Sequence, residues 1–203
     1  MCQFLKFISN EELRIVFVHG FNVRDNGKGS IDRLKADFRV MYPNAIIDCD
    51  TADYGWHFLL KVRFFSASAV KRIARAILLA DIVVTHSNGA NYTHKALKLL
   101  KSKDIENHDL HIIHFSPAMN RKQALHKLAF KRIDVFASKT DMTVYLAKLL
   151  FRHPWGNAGQ KGFISNDDRY WLHGFTGVGH SAWFWDPPRA LAMNKIQNIR
   201  KTM

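Results

Sequence analysis

A serine, a histidine and a carboxylate brought together can transfer an acyl group: an activated hydroxyl attacks, a base carries its proton, and a third group orients the base. In this chain of 203 residues the serine best placed for attack is Ser87. It lies in Asp81-Ile82-Val83-Val84-Thr85-His86-Ser87-Asn88-Gly89-Ala90, where a short apolar run meets a small polar turn and a helical pattern follows through Ala96, Leu97 and Leu100. A serine between a buried strand and a helix is what a nucleophile elbow needs. The turn lifts the hydroxyl out of the sheet, and the helix N-terminus favours developing negative charge. Gly89 and Ala90 are small enough for the two backbones to approach closely. Thr85 stands where the usual G-x-S-x-G pattern has glycine, and a β-branched residue there is expected to add strain. Ser-Asn-Gly is also ordinary turn chemistry, so the assignment depends on partners elsewhere in the chain.

Those partners must be delivered by strand ends, because sites in open parallel α/β sheets form beyond the carboxyl ends of the strands. Strands are expected at Arg14–Val18, 45–50, 82–84, His111–Phe115, Arg132–Ser138 and Tyr170–Phe175, all apolar or β-branched runs closed by turn residues. Between them come helical patterns. One is capped by Ser30 with an apolar stripe of Ile31, Leu34, Phe38 and Met41; others cover 69–78, the stretch after Ser87, 121–130 and 143–150, and a basic helix follows Pro187-Pro188. Strand, helix, strand in this order implies parallel βαβ units. The segments 51–68 and 152–168 show no clear period; the first is read as core and the second as loop.

Four groups then fall at strand ends: Ser87, Asp141, His180, and His19-Gly20-Phe21. Each has a rival. Asp141 also suits a helix N-cap, and Asp134 is a second acid, although it lies inside a strand run. His173 competes with His180 but is expected to be packed within its strand. Ser181 has no strand-turn-helix pattern around it. His86 is expected to point away from the elbow as a pocket or packing residue, and His19 to brace the loop that follows it. His108, His111 and His114 suggest a metal, but on a strand 111 and 114 face opposite ways, so no metal site is expected. Gly27-Lys28 suggests a phosphate loop, which would need glycine at 22 and Ser or Thr at 29; Asn22 and Gly29 stand there.

With His19-Gly20-Phe21, Thr85-His86-Ser87-Asn88-Gly89, the strand-end Asp141 and Gly179-His180-Ser181, the sequence resembles the α/β-hydrolase superfamily over roughly residues 13 to 185. The order Ser, Asp, His is that of the family. The resemblance implies a mostly parallel central sheet with helices on both faces and a minimal or absent cap. It implies Ser87 as nucleophile, His180 as the base that returns the proton to the leaving group, and Asp141 as the group that fixes the imidazole tautomer. The backbone amides of Phe21 and Asn88 would form the oxyanion hole. The activity implied is cleavage of a carboxylic ester through an acyl-enzyme, esterase- or lipase-like, with no cofactor and no metal.

Composition sets the remaining bounds. The chain is 47% hydrophobic and 23% charged, as globular proteins are, and with no linker or repeat it reads as one domain. No apolar stretch is long enough to span a membrane, the N-terminal residues lack a signal peptide's core, and Cys2 and Cys49 cannot make a disulfide framework. A cytoplasmic setting is the simplest expectation. The net charge of +13 favours anionic partners. An anionic membrane surface is one candidate and nucleic acid a weaker one, against the plain alternative of a solvated basic surface. Trp183-Phe184-Trp185 could line an acyl pocket or touch lipid, but ordinary burial is preferred. The competing functional class is a catalytically weak binding module of the same fold that uses its basic surface for nucleic acid or anionic membrane.

Overall fold

The computed structural model describes residues 12–20, 29–48, 66–122, 127–151 and 155–201. Six strands form one sheet: β1 (Arg14–Val18), β2 (Ile46–Asp48), β3 (Ile82–His86), β4 (His111–Phe115), β5 (Arg132–Ser138) and β6 (Tyr170–Phe175), in the spatial order β2-β1-β3-β4-β5-β6. Every pairing is parallel, with Val18 beside Thr85 and His86 beside Phe115. The order reverses between β1 and β3, and a crevice opens at such a switch point.

The central strands are buried on both faces, which explains why they are mostly apolar and why the polar residues in them, such as His111, His114 and Asp134, are buried as well. Residues still alternate between the two faces. Val16, Val18, Val83, Ile112, Ile133, Val135 and Ala137 pack with α2 (Ala67–Leu78) and α3 (Gly89–Lys101). Ile15, Phe17, Ile82, Val84, Ile113, Phe115 and Phe136 pack on the other face, against α1 (Leu34–Met41) and the C-terminal α6 (Pro188–Lys201). On the first face lie also α4 (Met142–Phe151), through Val144, and the short α5 (Ala158–Lys161), through Ala158. The helices thus cover both sides of the sheet, and no cap domain intervenes among the described residues. No helix among them is long and apolar enough to cross a membrane.

The expected stripe of α1 is the one buried: Ile31, Leu34, Phe38 and Met41 all face the core, and Phe38 meets Phe17 edge-on at 5.3 Å. Burying each large side chain contributes about 1.5–3 kcal/mol. Ser30 does not cap the helix with its side chain. A single 3₁₀ turn, Ile31–Arg33, comes first, and the Ser30 carbonyl accepts from Arg33 N–H at 3.0 Å. At the other end of α1, Arg200 of α6 donates to the Met41 carbonyl and lies over the Tyr42 ring, tying the C-terminal helix to the first.

The helix expected over 121–130 is not formed in its described part. Arg121 and Lys122 turn, Leu128 and Phe130 are buried, and Arg169 caps the Phe130 ring at 4.0 Å on the way into β5. The 152–168 segment, read as loop, contains α5 and is close-packed. Cβ atoms added at Gly156 and Gly159 would meet the Asn120 Cα and the Ser116 carbonyl carbon at 2.5 and 2.7 Å. Most of the 51–68 segment, Cys49 and the Gly27-Lys28 turn lie outside the described residues.

Candidate active site

Ser87 is the first residue after β3 and has a φ of 52°. A side chain in that left-handed region is strained, and only surrounding structure can hold it there. Here two backbone bonds to β4 and its loop do so: Ser87 N–H donates to the Phe115 carbonyl at 3.0 Å, and Ala118 N–H donates to the Ser87 carbonyl at 3.1 Å. Gly89 is required on the helix side. A Cβ there would lie 2.4 Å from the Val18 carbonyl oxygen and 2.7 Å from that of His19. Gly20 presses on the elbow from β1, since its Cβ would stand 3.1 Å from Ser87 Cβ.

Thr85 does not add the expected strain. It sits inside β3 with ordinary strand geometry, fully buried, where a β-branched side chain fits the pleat. Its hydroxyl shares a 2.6 Å hydrogen bond with His114 Nδ1, whose pKa is pushed down to about 3, chiefly by burial. The strain is carried one turn later, by Ser87 itself.

The three widely separated candidates meet. Ser87 Oγ lies 2.9 Å from His180 Nε2, and His180 Nδ1 lies 2.8 Å from Asp141 Oδ2. Ser87 and Asp141 are buried, whereas 13% of the His180 side chain remains exposed. The second Asp141 oxygen accepts from Val144 N–H at 3.2 Å. The same carboxylate therefore both caps α4 and orients the histidine, and the two sequence readings of Asp141 are compatible. Burial by itself would raise the Asp141 pKa. The hydrogen bond and charge of His180, with further hydrogen bonds from Ser116 and Val144, outweigh it and hold the carboxyl below its usual range.

Ser116 and Trp183 were not expected here. Ser116 follows β4 with a φ of 43°, the strand-end position next to that of Ser87, and bonds Asp141. Its Oγ accepts from Trp183 Nε1 at 2.7 Å. Trp183, three residues past His180, thus anchors the histidine loop to the acid. Its spacing from His180 is the one sequence signal that could have suggested it.

His86 corrects the expectation that it points away from the elbow. Its Nε2–H donates to the His180 carbonyl at 2.9 Å, and its ring lies 4.7 Å from those of both His180 and Phe184. Burial, and then the nearby His180, lower its pKa to about 3, so it stays neutral beside the imidazole. His19 donates from Nδ1–H to the Gly20 carbonyl at 2.7 Å.

Of the two amides named for the oxyanion hole, Phe21 lies outside the described residues. Asn88 precedes the first turn of α3, and its side-chain oxygen accepts from Trp155 Nε1 at 3.1 Å and Asn91 Nδ2 at 3.3 Å. These bonds fix the residue whose N–H follows the serine.

The rival residues are occupied elsewhere. Asp134 binds His111 at 2.7 Å, His173 at 2.6 Å and Arg132 through both oxygens. Burial opposes ionisation of Asp134, but bonds from His111, His173 and Arg132 overcome it and drive its pKa far down. His114, on the opposite face from His111, serves Thr85. Ser181 precedes the 3₁₀ turn Ala182–Phe184, and its side chain makes no capping bond to that turn. Trp183 and Phe184 are buried as the plainer reading held, while Trp185 is half exposed and covered on one side by the Arg33 guanidinium at 3.4 Å.

Comparison with solved structures finds the same fold in other proteins. The chain is similar to an α/β-hydrolase superfamily protein from Enterococcus faecalis (9% identity, covering 96% of this chain and 92% of that one, TM-score 0.59). It is also similar to a monoacylglycerol lipase from Paleococcus ferrophilus (10%, 91% and 92%, 0.57) and an esterase from Pyrobaculum calidifontis (14%, 97% and 78%, 0.55). No family model matches the sequence, and no curated protein does. The chain therefore has the α/β-hydrolase fold, with a Ser-His-Asp arrangement at the carboxyl edge of its sheet.

Proposed function

We propose that the protein is a serine hydrolase that cleaves a carboxylic ester. The observation that carries this is the unbroken chain from Ser87 Oγ through both nitrogens of His180 to Asp141, built on a serine held at positive φ. In this reading Ser87 Oγ attacks the ester carbonyl carbon while its proton passes to His180 Nε2. Negative charge on the former carbonyl oxygen is met by the amide of Asn88, at the positive end of α3, and by that of Phe21. Collapse breaks the carbon–oxygen bond to the alcohol, which leaves with the proton from Nε2 and leaves an acyl group on Ser87. Water then repeats the sequence: it loses a proton to Nε2, and the acid departs as Oγ takes the proton back. Asp141 stays ionised throughout, accepting Nδ1–H and stabilising the imidazolium, for which its lowered pKa suits it.

The esterase and the monoacylglycerol lipase among the similar folds make an ester the first substrate class to try. The test is labelling with a fluorophosphonate, followed by mass mapping. The wild type is expected to carry one adduct, on Ser87, and Ser87→Ala none. An unlabelled but folded wild type, or an adduct that persists in Ser87→Ala, overturns the assignment. Turnover of short acyl esters should fall by several orders of magnitude in Ser87→Ala and in His180→Ala.

A further inference from the structure

Helix α4 is apolar on the side turned away from the core. Val144 anchors its inner face and is fully buried. Met142, Tyr145, Leu146 and Leu149 lie at i, i+3, i+4 and i+7, on the opposite side, and are 56, 43, 47 and 62% exposed. A helix on the surface of a globular domain ordinarily turns charge outward, and a contiguous apolar stripe there marks a surface that is covered in use.

Charge selects the occupant. From residue 142 to 166 the chain has no Asp or Glu, and Lys139, Lys148 and Lys161, at and around the helix, are exposed. Against a net charge of +13, a second copy of this chain would bring the same basic surface against itself. An anionic bilayer complements both features: lysines meet the headgroups while the apolar stripe enters the acyl boundary, as amphipathic interfacial helices do. We propose that the outer face of α4 docks the protein onto anionic lipid bilayers. The stripe begins one residue after Asp141, whose carboxylate caps the helix and bonds His180. The aromatic pair Trp183-Phe184, buried in the core, takes no part in this contact.

The proposal is independent of the catalytic reading and is tested on Ser87→Ala protein, so that the failure of either leaves the other standing. Co-sedimentation would be measured with vesicles of phosphatidylcholine alone and of phosphatidylcholine with phosphatidylglycerol at 3:1. We expect partition onto the mixed vesicles at least tenfold above the neutral ones, weakened by salt. It should fall at least tenfold again in Leu146→Gln/Leu149→Gln, which keeps the net charge and the melting temperature. Tyr145→Gln offers a milder third variant if the pair fails to fold. Full binding by the folded variants would reduce the contact to surface charge and overturn the role of α4. Absence of anionic-vesicle binding would overturn the proposal outright. So would a dimer in sedimentation equilibrium that the same substitutions dissociate, because the stripe would then serve a second copy.

Discussion

His86 lies against His180, bonded to its carbonyl with the two rings 4.7 Å apart and tilted by 45°, and Phe184 meets the His86 ring edge-on. In the proposed mechanism a neutral ring suits that position, because a charged one would repel an imidazolium at His180. Burial supplies the neutrality by lowering the His86 pKa to about 3. On that proposal His86 is a positioning residue, and its loss should act on kcat. Replacing it by Phe keeps the ring and removes the donor. Since misplacement by about 1 Å can reduce rate on the order of 100-fold, His86→Phe is expected to lower kcat by about 10–100-fold with KM within about twofold. His86→Gln, which can present an amide donor near Nε2, should recover part of the loss. Steady-state kinetics on a soluble ester would show it, and equal changes in KM and kcat for both variants would assign His86 to packing instead.

At the scale of elements, the elbow depends on how closely α3 approaches β1. The Gly89 site has no room for a methyl group, because carbonyl oxygens of Val18 and His19 occupy it. Gly89→Ala is expected to destabilise by about 1–3 kcal/mol and to slow fluorophosphonate labelling. Gly174→Ala in β6, where a Cβ meets nothing within 4 Å, should stay within about 0.5 kcal/mol. Urea unfolding of the two variants separates these outcomes. Such elements are legible in the sequence where burial is two-sided: β1, β3, β4 and β5 are short, mostly apolar and buried, and the polar residues that follow β3 and β5, Ser87 and Asp141, both bond His180. What stayed hidden depends on tertiary contact. The bond from Trp183 to Ser116 joins residues 67 apart, and only the nearness of Trp183 to His180 in the sequence hints at it. The turn of His86 toward His180 follows from the direction of one side chain at the end of β3. The 152–168 segment has glycines that look like loop punctuation, yet Gly156 and Gly159 are small because Asn120 and Ser116 press on them. Thr143–Leu150 was read correctly as helix, but the direction its stripe faces depends on which side meets the sheet.

Across the whole molecule, buried imidazoles set the response to acid. His86, His94 and His114 are all lowered, to about 3, 4 and 3, in each case first by burial. An unfolded chain binds a proton at each near the ordinary value of about 6.5, while the native state does not. The unfolded state thus holds more protons below that pH, and stability must rise with pH through this window and fall as acid is added. Each site contributes a slope of about 1.4 kcal/mol per pH unit once pH lies well below 6.5 and above its native value. Urea midpoints should therefore decline between pH 6.5 and 4.5, before the lowered carboxyls of Asp141 and Asp134 begin to titrate. His94→Gln should remove about a third of the slope, and a flat profile over this window would show that the three rings are solvated in the native state.

The separation of 93 residues between Ser87 and His180 also sets an order in time. At ordinary translation rates of about 5–20 residues per second, the serine leaves the ribosomal tunnel about 5–20 s before its base. During that interval β1, β3 and α3 can already assemble, but no imidazole is present to draw off the hydroxyl proton. If Ser87 acts as proposed, a nascent chain is chemically silent toward acyl esters until the segment bearing His180 and its anchor Trp183 has emerged and closed onto Ser116.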